Sequence, residues 1–346
     1  MKERYEGIDG LKAYAILGIV LMHVLSNGNF NLTGFIFENL IPSFTNLVFL
    51  FMMVSGFGMC CGYYQKFKDK QIDINEFYKK RYNKIWPYFA MLCILDFLIS
   101  PSKNALYEVV ANLTLCQGLL PNMNISIIGV SWTLAVIFVF YLLFPFFVFL
   151  LDNKKRAWLS LICALFYNFV CNIYFFDEAH IADKSVVNFS SRTNILYCAI
   201  YFVMGGLIYL YKKEIKLLVE KNRMIVIIVL FISLVGYFIL GSSTITILIF
   251  CVMSLTYTLG CNHKGILVNP VAHFVGEICF EIYLCHMIIY RIFEKMSFIH
   301  LFKNDLISYV FISIAVIGGS IIFAKCANCI LNKVKIILKN RRVNYV

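Results

Sequence analysis

The stretch GLKAYAILGIVLMHV, Gly10 to Val24, is apolar enough to enter a bilayer, yet it carries Lys12 and His23. An ionisable side chain at the centre of a membrane helix costs about 2.5–3.5 kcal/mol on the mildest insertion scales, so such groups face a bundle interior or a wet cavity. Lys12 and His23 are eleven residues apart, which is three helical turns, about 16 Å of rise and a residual rotation of roughly 20°. They therefore share one helix face. Asp9, one turn before Lys12, shares it too and can pair with the ammonium. An imidazole titrates near neutrality and suits proton removal from a hydroxyl. Two plain alternatives stand beside that chemistry: Lys12 snorkels to the interface with Asp9 as companion, and His23 makes a structural hydrogen bond.

Three other stretches carry polar groups at informative spacing. FYKKRYNKIWPYF, Phe77 to Phe89, sets Arg81 and Lys84 one turn apart ahead of Pro87, which reads as the first turn of a span. Such a basic pair can hold phosphate groups, or act as an interfacial anchor with its Trp and Tyr neighbours. GVSWTLAVIFVFYLLFP, Gly129 to Pro145, places Trp132 and Tyr141 on opposite faces of one helix. EICFEIYLCHMIIYR, Glu277 to Arg291, places Glu277 and Glu281 one turn apart, with Tyr283 and His286 on another face. Two carboxylates and a histidine in one span read as the lining of a polar interior.

The elements that position these residues follow from composition. Of 346 residues, 61% are hydrophobic and only 14% charged, where a soluble domain has about a quarter charged. The chain reads as a single domain, residues 1–346. Its class is all-α, a polytopic membrane helix bundle of about ten transmembrane helices. The spans run over 9–26, 44–64, 86–101, 128–151, 157–176, 194–211, 224–240, 244–260, 274–294 and 305–331. Met1 to Glu6 leads into an apolar stretch without a small-residue cleavage site, so the first span is no signal peptide. The segment from Leu106 to Pro121 is too broken to span and reads as a re-entrant or interfacial helix on the outer side.

The net charge of +12 collects in alternate loops: QKFKDKQIDINEFYKKRYNK, DNKKR, YKKEIKLLVEKNR, NHKG and the tail NKVKIILKNRR. FFDEAHIADKSVVNF and the other intervening loops are poor in Lys and Arg. Both termini are thus expected in the cytoplasm, and the charge is a topology signal rather than a nucleic-acid surface. The cysteines fall mostly in apolar runs, where they act as small hydrophobes. No metal site is expected from their spacing.

Taken in order, these stretches resemble acyltransferase family 3 of integral-membrane acyltransferases. The first-span pattern matches at Arg4, Asp9, Gly10, Lys12 and His23. FLFMMVSGFGM matches the family's SGF element at Phe51, Ser55, Gly56 and Phe57, and the basic pair before proline matches at Arg81, Lys84 and Pro87. Further matches are Trp132, Leu134, Tyr141 and Pro145, then Arg192 with Phe202 and Gly205, and finally Phe280, Ile282, Tyr283, Leu284 and His286. Three departures stand out. Lys84 replaces a second arginine, Ile137 and Phe138 occupy the place of a frequent glutamate, and Cys279 stands where serine is common.

The resemblance implies an O-acyltransferase of the polysaccharide O-acetyltransferase type, without the fused extracytoplasmic hydrolase-like domain of some members. It would carry an acyl group, most often acetyl, from cytosolic acyl-CoA to a hydroxyl of a cell-surface or lipid-linked glycan. His23 would be the general base, or would itself carry the acyl group, with Asp9 orienting the site. Lys12, Arg81 and Lys84 would bind the donor. Ser55, Trp132, Tyr141, Arg192, Glu281, Tyr283 and His286 would line the substrate path. Acyl-CoA is then a co-substrate, with no permanently bound cofactor. Expected partners are membrane lipid, the glycan acceptor and polysaccharide-synthesis proteins, in the bacterial cytoplasmic membrane. The competing expectation is a glycan exporter or proton-coupled transporter, because buried Lys, His and Glu also mark transport paths.

Overall fold

A computed structural model describes residues 5–119, 127–175, 191–261 and 265–343. Arg4, Pro121, nearly all of the loop FFDEAHIADKSVVNF and most of the NHKG loop lie outside the described residues. Fourteen helices follow one another and no strand occurs among the described residues. They are α1 (Glu6–Asn27), α2 (Ile36–Lys68), α3 (Ile74–Ile99), α4 (Lys103–Leu113), α5 (Ser131–Leu142), α6 (Phe144–Leu150) and α7 (Lys154–Val170). The second half comprises α8 (Ile195–Leu210), α9 (Lys212–Lys221), α10 (Arg223–Leu240), α11 (Thr244–Leu259), α12 (Pro270–Glu277), α13 (Cys279–Lys295) and α14 (Asp305–Val343).

Five of these are long and apolar enough to cross a membrane, and eight spans result if each bent pair counts as one. Helices lie at all ten expected spans, the fourth and ninth as bent pairs; α3 is not among the five or the eight, and α11, at 16 residues, is a shorter apolar helix. The outward side chains of α10, Ile225, Ile228, Phe231 and Ile232 among them, are apolar and exposed, as lipid contact requires.

The connections rich in Lys and Arg gather at one end. Lys68 after α2 pairs with Asp152 after α6 at 3.0 Å, and Lys154 pairs with Glu214 of α9 at 2.8 Å. The Lys68 ammonium holds the Asp152 carboxyl below the usual carboxylate range. At the opposite end the Asn31 backbone N–H donates to Asp305 at 2.8 Å. The Arg192 guanidinium donates to the Thr45 carbonyl and to Asn46, both at 3.0 Å.

Where the chain bends, the sequence pattern is overruled. Pro87 does not begin a helix: α3 starts at Ile74, because Asp73 caps it by accepting the Glu76 N–H at 2.6 Å. The basic cluster is therefore helical and continuous with the span. Pro87 lies in mid-helix, where it removes one backbone hydrogen bond. The ninth span is broken at Ile278, with α12 and α13 meeting at 72°. Glu277 and Glu281 thus sit on two helices rather than on consecutive turns of one. The loop after the sixth span is helix α9, turned 75° from α8 across the basic end, with Val219 packed on Gly260.

α4 is too short to span. Its Leu113 carbonyl accepts from Trp86 Nε1 at 2.9 Å, so it folds back along α3. It ends at Leu113, two residues before Leu115, whose left-handed φ of 58° costs about 1–2 kcal/mol. The described course of this segment ends at Leu119.

Small residues set the closest crossings. A Cβ on Gly56 would collide with the Phe202 carbonyl, and one on Gly205 with the Met53 carbonyl, so α2 and α8 pack backbone against backbone. The core around them is aromatic: Phe140 stacks on Phe202 at 4.6 Å, and Phe49 on Tyr201 at 4.6 Å.

Candidate active site

Lys12 is held by Asp9 at 2.7 Å. Both sit at the foot of α1, where the backbone of another element comes very close. A Cβ on Gly10 would meet the Leu267 carbonyl, and one on Gly276 would meet the carbonyl of Asp9 itself. α12 is in turn pinned by Asn269, which accepts the Ala272 N–H at 2.8 Å, with Pro270 in its first turn. Two glycines and one cap therefore fix the turn that presents Lys12.

That ammonium lines a cavity of about 270 Å³. α3 contributes Arg81 and Lys84, α2 contributes Ser55, and α5 contributes Thr133, Ile137 and Tyr141. The bend between α12 and α13 brings Glu277, Glu281 and Tyr283 to the same space. Arg81 is aimed inward by aromatic partners: Nη2 donates to the Tyr63 hydroxyl at 2.5 Å, and the guanidinium lies 4.6 Å from the Tyr63 ring centre and 5.9 Å from that of Tyr141. Tyr63 belongs to a π-helical turn, Cys60–Tyr64, the type of local insertion that re-aims side chains near sites. Ser55 and Tyr141 both face this space.

Neither Arg81 nor Lys84 forms an ion pair with a carboxylate among the described residues, and Arg81 Nε is enclosed without a partner. Both cations line the same space as Glu277 and Glu281, and a guanidinium and an ammonium held this way can take up phosphate groups. Glu281 accepts a hydrogen bond from Asn328 of α14 at 3.1 Å.

Deeper in the bundle, the Tyr283 hydroxyl donates to Thr133 at 2.8 Å. Its ring centre lies 5.9 Å from that of His286, and the His286 ring centre lies 5.2 Å from that of His23. His23 does not line the cavity; it stands beyond Tyr283 and His286. Seven of the expected site residues, Lys12, Ser55, Arg81, Lys84, Tyr141, Glu281 and Tyr283, thus meet around one space. Asp9 touches it through Lys12, and His23 and His286 form an adjoining pair.

Two expected residues stand apart. Trp132 is half-buried against the core and turns away from the cavity that its neighbour Thr133 lines. Arg192 does not line the cavity: it binds the carbonyl of Thr45 and lies 5.2 Å from the Phe49 ring centre, tying α2 to the start of α8, with its charge still felt at the Tyr283 hydroxyl. Sequence reading overlooked Tyr63 and Thr133. Thr133 carried a faint signal as a polar residue beside Trp132, whereas a π-turn leaves no mark in composition.

The acyltransferase 3 family model, described as an acyltransferase domain, matches residues 5–325 of the chain. No curated protein and no solved structure matches it.

Proposed function

This chain belongs to acyltransferase family 3, and from that premise we propose that it transfers an acyl group, acetyl above all, from acyl-CoA to a hydroxyl of a cell-surface or lipid-linked glycan. The observation that carries the donor side is the cavity at the basic end, with Lys12, Arg81 and Lys84 on its wall. At about 270 Å³ it is smaller than the roughly 300–1,000 Å³ that encloses a drug-sized ligand. It therefore suits the narrow pantetheine arm and leaves the anionic nucleotide at the basic rim beside Arg81 and Lys84. The positive-inside rule supports a cytoplasmic side for that end, and in our reading the protein sits in a bacterial cytoplasmic membrane with donor and acceptor arriving from opposite sides.

The arm leads past Tyr283 towards His23. His23 takes the proton of the acceptor hydroxyl as its oxygen attacks the thioester carbonyl. A C–O bond forms, the C–S bond breaks, and His23 returns the proton to the departing thiolate. Lys12, held by Asp9, neutralises donor charge at the entrance. Glu281, facing the space beside Ile137, supplies the carboxylate that the Ile137–Phe138 stretch lacks.

The test uses membranes containing the protein, acyl-labelled CoA and a cell-envelope glycan. Wild-type protein is expected to label the glycan, and His23→Ala to lower the rate by about 10²–10⁴-fold with unchanged abundance and melting temperature. Full labelling by the variant removes His23 from the mechanism. Glycan movement across the membrane without label would instead identify an exporter.

A further inference from the structure

His286 is almost fully enclosed, with 1% of its surface exposed. Its Nδ1 lies 2.7 Å from the Tyr283 carbonyl oxygen and 3.2 Å from that of Ile282. A carbonyl only accepts, so Nδ1 carries the hydrogen, and the neutral ring keeps its lone pair on Nε2. That Nε2 is buried and has no partner among the described residues. The neighbouring Tyr283 hydroxyl cannot serve, because it donates to Thr133. The other ring beside it is His23, 5.2 Å away and tilted by 42°. No hydrogen bond engages the His23 ring among the described residues; Asn27 binds only its backbone carbonyl. A buried acceptor left unpaired costs about 1–3 kcal/mol, and the χ2 torsion of histidine is broad, so a small rotation brings an N–H of His23 onto Nε2 of His286.

We infer that His286 is a positioning residue for His23: its Nε2 accepts one N–H of the His23 ring and so fixes which His23 nitrogen keeps the free lone pair. This rests on the reading of His23 as general base. When His23 takes the hydroxyl proton, both of its nitrogens carry hydrogen. The His286 lone pair then holds the imidazolium, and the proton leaves from the nitrogen that received it. His286 itself gains and loses nothing, because its own helix holds its Nδ1 hydrogen. The arrangement does the orienting work of the buried carboxylate in a hydrolase triad with a neutral group, which is cheaper to bury in a membrane interior than a carboxylate. Enclosure also separates this role from direct substrate contact.

The test compares purified wild-type protein with His286→Phe, which keeps bulk but offers no acceptor, and His286→Gln, whose side-chain oxygen restores one. His286→Phe is expected to lower kcat about 10–100-fold with KM for acyl-CoA little changed, and His286→Gln to recover most of that loss. Wild-type kcat in His286→Phe, or an equal loss in both variants, overturns the inference. A readout independent of acyl transfer is the ¹⁵N spectrum of ring-labelled histidine, with His23 assigned by its own substitution. The wild type should show one protonated and one bare His23 nitrogen, and His286→Phe should lose that preference. If the wild type transfers no acyl group, the reaction proposed above fails, whereas an unchanged His23 tautomer in His286→Phe overturns the dyad whatever the activity.

Discussion

A guanidinium at the mouth of a membrane bundle is expensive to keep there unless something anionic comes to share the site. Arg81 is aimed by Tyr63 and flanked by Tyr141, with Lys84 one turn further and Lys12 across the cavity. Among the described residues, Lys12 forms a direct ion pair, with Asp9, and Arg81 and Lys84 form none. Each charge-assisted hydrogen bond to a phosphate contributes about 1.5–3 kcal/mol. Replacing both Arg81 and Lys84 by Ala should thus weaken acyl-CoA binding by at least tenfold, measured by equilibrium titration of purified protein. Arg81→Lys should recover part of that loss, since it keeps the charge but not the planar fork. Equal affinity in the double variant would leave the pair as a topology signal only.

Among elements, the contact of α1 with α12 decides where the site's first charge stands. Gly276 meets the Asp9 carbonyl with no space for a Cβ, whereas Gly318 of α14 has nothing within 4 Å of the corresponding position. Alanine at the two sites should act with opposite sign. Gly276→Ala must push α1 and α12 apart and is expected to cost about 1–3 kcal/mol, with loss of transfer because Asp9 and Lys12 move. Gly318→Ala removes backbone freedom in an open helical position and should be neutral or stabilising by about 0.5–1 kcal/mol. Thermal unfolding in detergent checks both, and a Gly276→Ala protein as stable as wild type would show that the crossing yields easily. The same crossing explains why α12 and α13 cannot form one straight span. The bend at Ile278 lets α12 lean on α1 while α13 carries Tyr283 and His286 into the bundle.

The molecule as a whole sorts its charge along one axis. Lys68, Asp152, Lys154 and Glu214 tie three successive connections into a single basic end, while Asn31 and Asp305 join at the other. By the positive-inside rule, a tag fused after Val346 should react only with reagents inside the cell. One inserted between Pro101 and Ser102, where α3 passes to α4, should react from outside. The reverse pattern would turn the donor cavity away from cytosolic acyl-CoA and defeat the proposed direction of transfer.

Much of this was legible in the sequence. Hydropathy and loop charge determined an all-helical membrane bundle, because lipid permits little else to satisfy the backbone and because charge is costly to move across it. Helical periodicity put Asp9, Lys12 and His23 on one face, and the ordered motifs pointed to the family that the chain matches. The motif glycines Gly56 and Gly205 had no visible reason until the backbones of α2 and α8 were seen to touch. Only the tertiary structure decided that Arg192 binds Thr45 and Asn46 of α2, that Glu277 and Glu281 lie on separate helices, and that His286 stands behind His23. Bends, π-turns and side-chain pairs between distant helices follow from packing, and packing depends on which surfaces meet, which no single helix encodes.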